Sequence, residues 1–261
     1  MRNEIALHTA CFVARETGFA MHGWGHGDRM TNDAFAPLDT YADRLDALLG
    51  HIQALGFDTI DLWGAHLSPA WATAEHVDEA CAALVRRGMR VATYAPWVDA
   101  ANVQRVCELA VALGVSVVGV GYAGDAEPIA RALRDHGVRL AVENHPERTP
   151  AELLDKIGRG EGTFGATVDT GWWATQGYHA AQAIEELGPH VLHVHLKDVL
   201  AEGEPHETCR FGDGIVDVRE CVRALERIGY EGTISIEHEP EAFDPSEDLR
   251  AMRAELEEWL A

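Results

Sequence analysis

The chain has 261 residues, 47% of them apolar, with 25 Gly and 10 Pro, a composition that fits a packed globular protein and excludes disorder as its main state. It carries 43 Asp and Glu against 21 Lys and Arg, a formal net charge of −22, which argues against broad electrostatic binding to nucleic acid or an anionic membrane. No apolar run approaches the roughly 18 residues of a membrane span, and Met1 to Phe12 lack the features of a signal peptide, so a cytoplasmic protein is expected.

The elements follow in chain order. Residues 5–7 read as a first short strand, and 8–38 follow no repeat. Tyr41, Leu45, Leu48, Ile52 and Leu55 share one face of a helix that Gly56 ends, and a strand is expected at 59–62. Val77, Cys81, Leu84 and Val85 mark the next helix, closed by Gly88, before a strand at 90–94. Asp99 is a candidate cap for a helix ending at Gly114, and strands follow at 116–120 and, after Gly137, at 139–142. Thr149-Pro150-Ala151-Glu152 is a capping box with Pro at the first helical position. Gly158 closes that helix ahead of a strand at 165–168, and Gly188 closes the next ahead of 191–194. Residues 198–214 again depart from the repeat. Asp217 caps a helix ending at Gly229, a strand covers 233–236, and Ser246 caps the last helix. Glycine recurs at helix ends because it takes the left-handed conformation there without steric cost.

Eight buried strands, each followed by a helix, predict a single (β/α)8 TIM barrel spanning residues 1–261. A doubly wound sheet would place a Gly-rich phosphate loop after its first strand. Residues 8–22 contain none, and Gly23-Trp24-Gly25-His26-Gly27 resembles one only loosely. The five cysteines, at 11, 81, 107, 209 and 221, show no CxxC and no regular spacing, so no disulfide framework is implied.

Four consecutive strands end in a metal-ligand residue type: Glu143, Asp169, His195 and Glu237, separated by 26, 26 and 42 residues. Neighbouring parallel strands lie about 4.8 Å apart, so these side chains are expected to converge at the barrel mouth, where barrel enzymes build their sites. Three carboxylates and one imidazole form a mainly hard ligand set, suited to Mn2+ most of all, or to Mg2+ or Co2+. Strand alternation puts His145, Gly171, Lys197 and Glu239 on the same face. His145 is a candidate base and Lys197 a candidate holder of a substrate oxygen, while His193 lies deeper and reads as a core hydrogen-bonding residue. Trp24, Trp63, Tyr94, Trp97, Trp172, Trp173 and Phe211 gather on the predicted mouth, where together they would line a flat-sided apolar pocket for sugars and aryl groups.

At these residues the sequence resembles the xylose isomerase-like TIM barrel superfamily of sugar phosphate isomerases and epimerases. The resemblance rests on the strand-end quartet, on His195-Leu-Lys-Asp198, and on the stretch from Phe211-Gly-Asp-Gly through Gly229 to Glu237. It implies that the quartet holds a metal binding adjacent oxygens of a keto sugar, and that Glu143 and Glu237 face the carbon losing a proton. Ketohexose 3-epimerases of the superfamily carry a His where this chain has Trp172 and an Arg where it has Ala201. The His-x-Lys-Asp form resembles inosose dehydratases. The tryptophan pair after Asp169 and the Glu143-Asn-His145 step resemble the catalytic subunit of bacterial C-glycoside deglycosylases, which act on 3-oxo-C-glycosides and work with a small β-rich partner subunit.

The chemistry implied is removal of the proton beside a ketone by Glu143 or Glu237, then loss of the C1 substituent, with His145 taking a proton from the phenol next to an aryl carbon leaving group. Without a leaving group, the same steps give epimerisation. The first expectation is a metal-dependent carbohydrate lyase with catalytic residues Glu143, His145 and Glu237 and substrate contacts from Lys197, Trp172, Trp173, Trp97, Trp24 and Trp63. The alternative is a keto-sugar isomerase, epimerase or dehydratase. An endonuclease of the same superfamily would need a basic groove and several metals, and a non-catalytic sugar-binding protein would not need bases beside a metal.

Overall fold

Eight parallel strands close into a barrel in chain order. They are β1 (Ile5–His8), β2 (Thr59–Trp63), β3 (Arg90–Ala95), β4 (Val117–Val118), β5 (Arg139–Glu143), β6 (Phe164–Asp169), β7 (Val191–Leu196) and β8 (Ile234–Ile236), and β8 pairs back onto β1. The computed structural model describes residues 3–261. Each strand falls on an apolar run of the sequence. The largest departure is β4, cut to two residues, because Gly119 follows at φ +124°. A Cβ there would lie 2.4 Å from Leu140 Cδ1 and 2.7 Å from the Ala141 carbonyl, so the chain turns out of the ladder pressed against β5, as only glycine allows.

Helices cover the outside of the barrel. Leu38–Ala54 buries Tyr41, Leu45, Leu48, Leu49 and Ile52, the face its helical spacing predicts. Gly88, Gly114 and Gly137 take the left-handed conformation just past their helices, and the Thr149 hydroxyl accepts from the Glu152 N–H to open Pro150–Gly158. Three end assignments differ from expectation. Gly158 is the last residue of its helix, which Arg159 caps. Asp99 shapes the turn ahead of Val103–Leu113 by accepting from the Ala101 and Asn102 N–H groups. Ser246 is the first residue of its helix, and Asp244 accepts from its N–H and hydroxyl.

Two short ladders stand on the mouth of the barrel. Trp97–Asp99 pairs with Gly121–Ala123, and the Trp97 ring lies over Gly121, where a Cβ would sit 2.6 Å from ring carbon Cζ3. Asp198–Val199 pairs with 208–209 inside the long loop after β7. That loop wraps the Asp198 carboxylate, which accepts from the N–H groups of Val199, Gly212, Gly214 and Val216. The Phe211-Gly-Asp-Gly motif is thus an anion-binding turn built for a residue of the protein itself. All five cysteines are free, and no described helix is long and apolar enough to cross a membrane.

Candidate active site

The C-terminal ends of β5 to β8 deliver the four expected side chains to one point. One ligand atom from each of Glu143, Asp169, His195 and Glu237 lies within 4.8 Å of those of the other three, and all four residues are buried. Side-chain and backbone ties hold the strand ends in register. Asn144 donates to the Asp169 carbonyl at 2.9 Å and accepts from its N–H at 2.7 Å, linking β5 to β6. The Thr170 hydroxyl bridges to the Lys197 N–H and carbonyl, linking β6 to β7. The Glu237 N–H donates to the Leu196 carbonyl, linking β7 to β8. A register shift between Ala166 and Thr167 sets Asp169 directly opposite His195.

His195 decides what the cluster can hold. Its Nε2 donates to Asp61 Oδ2 at 2.8 Å, and His193 Nε2 donates to the same oxygen at 2.7 Å. His195 Nδ1 therefore faces Glu143 Oε1 at 2.7 Å and Glu237 Oε2 at 3.0 Å. A neutral imidazole would turn a lone pair on two carboxylates, so this edge requires a cation or a second ring proton. Burial opposes the proton, yet Glu237, Asp61 and Glu143 raise the His195 pKa well above its ordinary value. Asp169 Oδ2 and Glu237 Oε2 are buried and in ionic contact at 3.0 Å with Lys197 Nζ and His195 Nδ1 respectively, but neither contact has the geometry of a hydrogen bond. Burial pushes the Asp169 carboxyl up to about 7, Lys197 opposing and Glu237 and Glu143 adding to it. Three buried carboxylates and the partly buried Glu239 surround one lysine. Buried oxygens without an aligned donor, an imidazole with its outer nitrogen held by a carboxylate, and surplus negative charge all fit a divalent cation bound by the quartet.

Lys197 crosses this cluster. Its Nζ lies 3.0 Å from Asp169 Oδ2 and 3.2 Å from both Glu237 Oε1 and Glu239 Oε2, and its stem lies over Gly171, where a Cβ would come within 2.7 Å of Lys197 Cγ. Burial disfavours the ammonium, but Asp169, Glu237, Glu239 and Glu143 raise its pKa well above the ordinary value, so it stays charged. His8, at the end of β1, approaches Glu237 Oε1 at 3.2 Å and stacks on His195 at 4.7 Å.

Above the cluster opens a cavity of about 1150 Å³. Glu143, Glu237, Glu239, Lys197 and His8 form part of its lining, whereas Asp169 and His195 do not. Trp24, Trp63, Trp97 and Trp172 line it as expected, with Trp24 and Trp63 in contact at 5.4 Å. Trp24 is 43% and Trp97 52% exposed, so the rim is apolar and open. His145 also lines the cavity, its ring stacked on Trp172 at 3.9 Å. Burial pushes its pKa below the ordinary value, leaving a neutral imidazole with no protein partner for its ring nitrogens among the described residues.

Three aromatic assignments are corrected. Trp173 is fully buried against Tyr178 rather than in the cavity. The helix Thr170–Thr175 begins immediately after Asp169, which caps it through the Trp172 N–H, and one helical step of about 100° turns Trp173 into the core while Trp172 stays at the mouth. Tyr94 is buried, its hydroxyl donating to the Leu67 carbonyl, and Phe211 is buried against Trp259. His193 is the core residue expected, held by Asp61, Thr93 and Ser235.

Sequence reasoning missed Asp61, His8 and His206. Asp61 is an acidic residue inside the apolar run Thr-Ile-Asp-Leu-Trp of β2, and His8 ends β1; a search for polar residues in every apolar strand would have found both. His206 sits in the loop after β7 and reaches the cavity wall only because that loop folds back.

A family model described as "Xylose isomerase-like TIM barrel" matches residues 49–259. An uncharacterized protein of Methanocaldococcus jannaschii, MJ1311, is 30% identical over 119 residues, which are 42% of this chain and 40% of that protein, so the match spans about two fifths of that relative. Among solved structures, the chain is similar to a xylose isomerase-like TIM barrel protein from Mycobacterium smegmatis in complex with magnesium, with TM-score 0.70 and 17% identity over 99% of this chain and 98% of that one. It is similar to a probable 3-DHS dehydratase, AsbF, of Bacillus anthracis, with TM-score 0.69 and 13% identity over 97% and 98% of the two chains. It is also similar to a D-allulose 3-epimerase from Methylomonas sp. in complex with D-allulose, with TM-score 0.66 and 17% identity over 98% and 96%. At these identities the structures share the fold.

Proposed function

The chain belongs to the xylose isomerase-like TIM barrel family, and from that premise we propose a divalent-metal-dependent enzyme that removes the proton beside the ketone of a sugar and eliminates the substituent at C1. A 3-oxo-C-glycoside with an aryl leaving group is the substrate class the site suits best. The observation that carries this reading is the placement of two buried carboxylates, Glu143 and Glu237, on the floor of a wide cavity walled by tryptophans, directly above Asp169 and His195. The dehydratase and epimerase names of the similar structures support chemistry of the same kind.

Glu143, Asp169, His195 and Glu237 would hold the cation, Mn2+ by preference among Mn2+, Mg2+ and Co2+; once bound, it would polarise the carbonyl and stabilise the charge left when the proton departs. Glu143 is the better base, because His195 is the one hydrogen-bond partner of its carboxylate among the described residues, whereas the Glu237 carboxylate is also engaged by His8 and Lys197. A positioned base of this kind is worth about 10²–10⁴-fold. Lys197 stays cationic and donates toward the oxygen carrying developing charge. His145, neutral and without a protein partner, accepts the phenol proton of an aryl leaving group; the C1–aryl bond breaks as the departing ring carbon takes up a proton and the phenol is re-formed, so the two protons removed end on the aglycone. Trp24, Trp63 and Trp97 pack against the flat aglycone and exclude water. The second reading is epimerisation, in which the proton returns and nothing leaves. Trp172 and Ala201 stand where ketohexose epimerases carry sugar-gripping His and Arg, which favours elimination.

The test is to incubate Mn2+-loaded protein in D2O with 3-oxo-C-aryl glycosides and with ketohexoses, followed by NMR. Free aglycone with an unsaturated sugar is expected, reduced at least 100-fold by Glu143→Gln. Deuterium entering a ketohexose with nothing expelled would replace the lyase by an epimerase.

A further inference from the structure

The Trp172 indole is covered on both faces. His145 stacks on one at 3.9 Å and 25°, and His206 on the other at 3.8 Å and 7°. With both faces taken, Trp172 offers no flat platform to a sugar ring; it acts as a spacer that fixes two imidazoles in the cavity wall. His206 comes from the loop that closes around the Asp198 carboxylate, so its position is set by the same hydrogen bonds that shape that loop.

His206 is held at one nitrogen and free at the other. Its Nδ1 lies 2.7 Å from the buried Thr175 hydroxyl, for which His206 is the one side-chain partner among the described residues. With the hydroxyl donating to Nδ1, the ring proton resides on Nε2. That atom is buried and has no partner, and a buried donor without an acceptor calls for a ligand. The ring lines the same cavity as Lys197, Glu237 and His145, the charged and titratable groups that act on it. Burial pushes its pKa down to about 3, so the ring is neutral throughout the working range.

We propose that His206 is a substrate-contact residue whose Nε2–H donates a hydrogen bond to a hydroxyl oxygen of the bound sugar substrate, with Trp172 and Thr175 as its positioning residues. This rests on the keto-sugar reading above and adds a specific donor to it. A neutral donor fixed by stacking and by a hydroxyl discriminates strongly, since a substrate lacking the matching oxygen leaves Nε2–H buried and unpaired.

The experiment compares wild type, His206→Gln, His206→Phe and Thr175→Val, each Mn2+-loaded, on the 3-oxo-C-aryl glycoside and a ketohexose. Mn2+ affinity is measured alongside by calorimetry. Phe keeps the stack and removes the donor; Gln restores an N–H near the position of Nε2. The expected result is a 10- to 100-fold fall in kcat/KM for His206→Phe, recovery to within about fivefold for His206→Gln, an intermediate loss for Thr175→Val, and Mn2+ affinity within twofold throughout. A His206→Phe variant with kcat/KM within twofold of wild type would overturn the contact and leave the keto-sugar reading standing. Equal losses in Phe and Gln accompanied by loss of Mn2+ binding would overturn it too, by making the ring structural. Wild-type protein that turns over neither substrate would sink the keto-sugar reading itself, and this contact with it.

Discussion

At the scale of single residues, the site is governed by what stands behind its proposed ligands. Asp61 gives one carboxylate oxygen to two imidazoles, His193 and His195, and so turns His195 Nδ1 toward Glu143 and Glu237. Such outer partners fix the tautomer of a ligating histidine, and their loss typically costs about 10–100-fold in metal affinity. Asp61→Asn, which keeps the shape and removes the charge, is expected to weaken Mn2+ binding by that factor in a calorimetric titration; unchanged affinity would show that the ring is oriented by packing alone. The four ligand types were legible because each stands at the end of an apolar strand run, one βα unit after the last. The partners were less so: Asp61 lies inside β2 and supports a ligand on β7, a relation that exists only once the barrel closes. The role of Asp198, read from the sequence as part of a motif, proves to be folding the loop that carries His206.

At the scale of elements, the step from β6 into the helix Thr170–Thr175 separates two adjacent tryptophans into opposite environments. The two substitutions are therefore expected to read out differently. Trp173→Ala removes a fully buried ring and should cost about 3–5 kcal/mol of stability, visible as a lowered melting temperature. Trp172→Ala, at the cavity wall, should change the melting temperature little and lower turnover at least tenfold by releasing His145 and His206. Equal effects on stability would contradict the placement. The sequence showed both rings after Asp169 but not the onset of helix at Thr170, and without that turn both were placed on the mouth. The barrel strands and most outer helices were readable because their periodicities are local, whereas the helix Trp24–Phe35 lay in a stretch with no repeat to read. The ends were less secure: Asp99 and Ser246 have the chemistry of caps, yet Asn102 immediately precedes the first of these helices and Ser246 is itself the first residue of the other, with Asp244 accepting from its N–H.

At the scale of the whole molecule, buried neutral histidines set an acid limit on the fold. His66 is buried, and its Nδ1 accepts from the Thr9 hydroxyl, which itself accepts from the Trp63 N–H. Burial pushes its pKa from 6.5 down to about 3. Because the folded value is lowered, its contribution is fully present above pH 6.5 and is lost as pH falls from 6.5 toward 3, when the unfolded chain binds the proton first; linkage puts this at up to about 2 kcal/mol at pH 5. His206, His193 and His238 shift in the same direction, burial being the first cause in each, while His195 shifts the other way. The melting temperature is expected to fall between pH 7 and pH 5, and to fall less in His66→Gln, which has no proton to gain. An equal fall in both proteins would remove His66 from the account.

The barrel as a whole was legible because eight apolar runs alternate along the chain with helical patterns and their glycine stops. The cavity was only half legible, since its floor comes from strand ends and its far wall from loops with no period to read. The central claim is that the floor is a single divalent-cation site, and a calorimetric and paramagnetic-resonance titration of metal-free protein with Mn2+ tests it most directly. One saturable site per chain is expected, weakened at least 100-fold by Asp169→Asn and by His195→Asn. Absence of saturable binding, or binding that both variants leave unchanged, would contradict it.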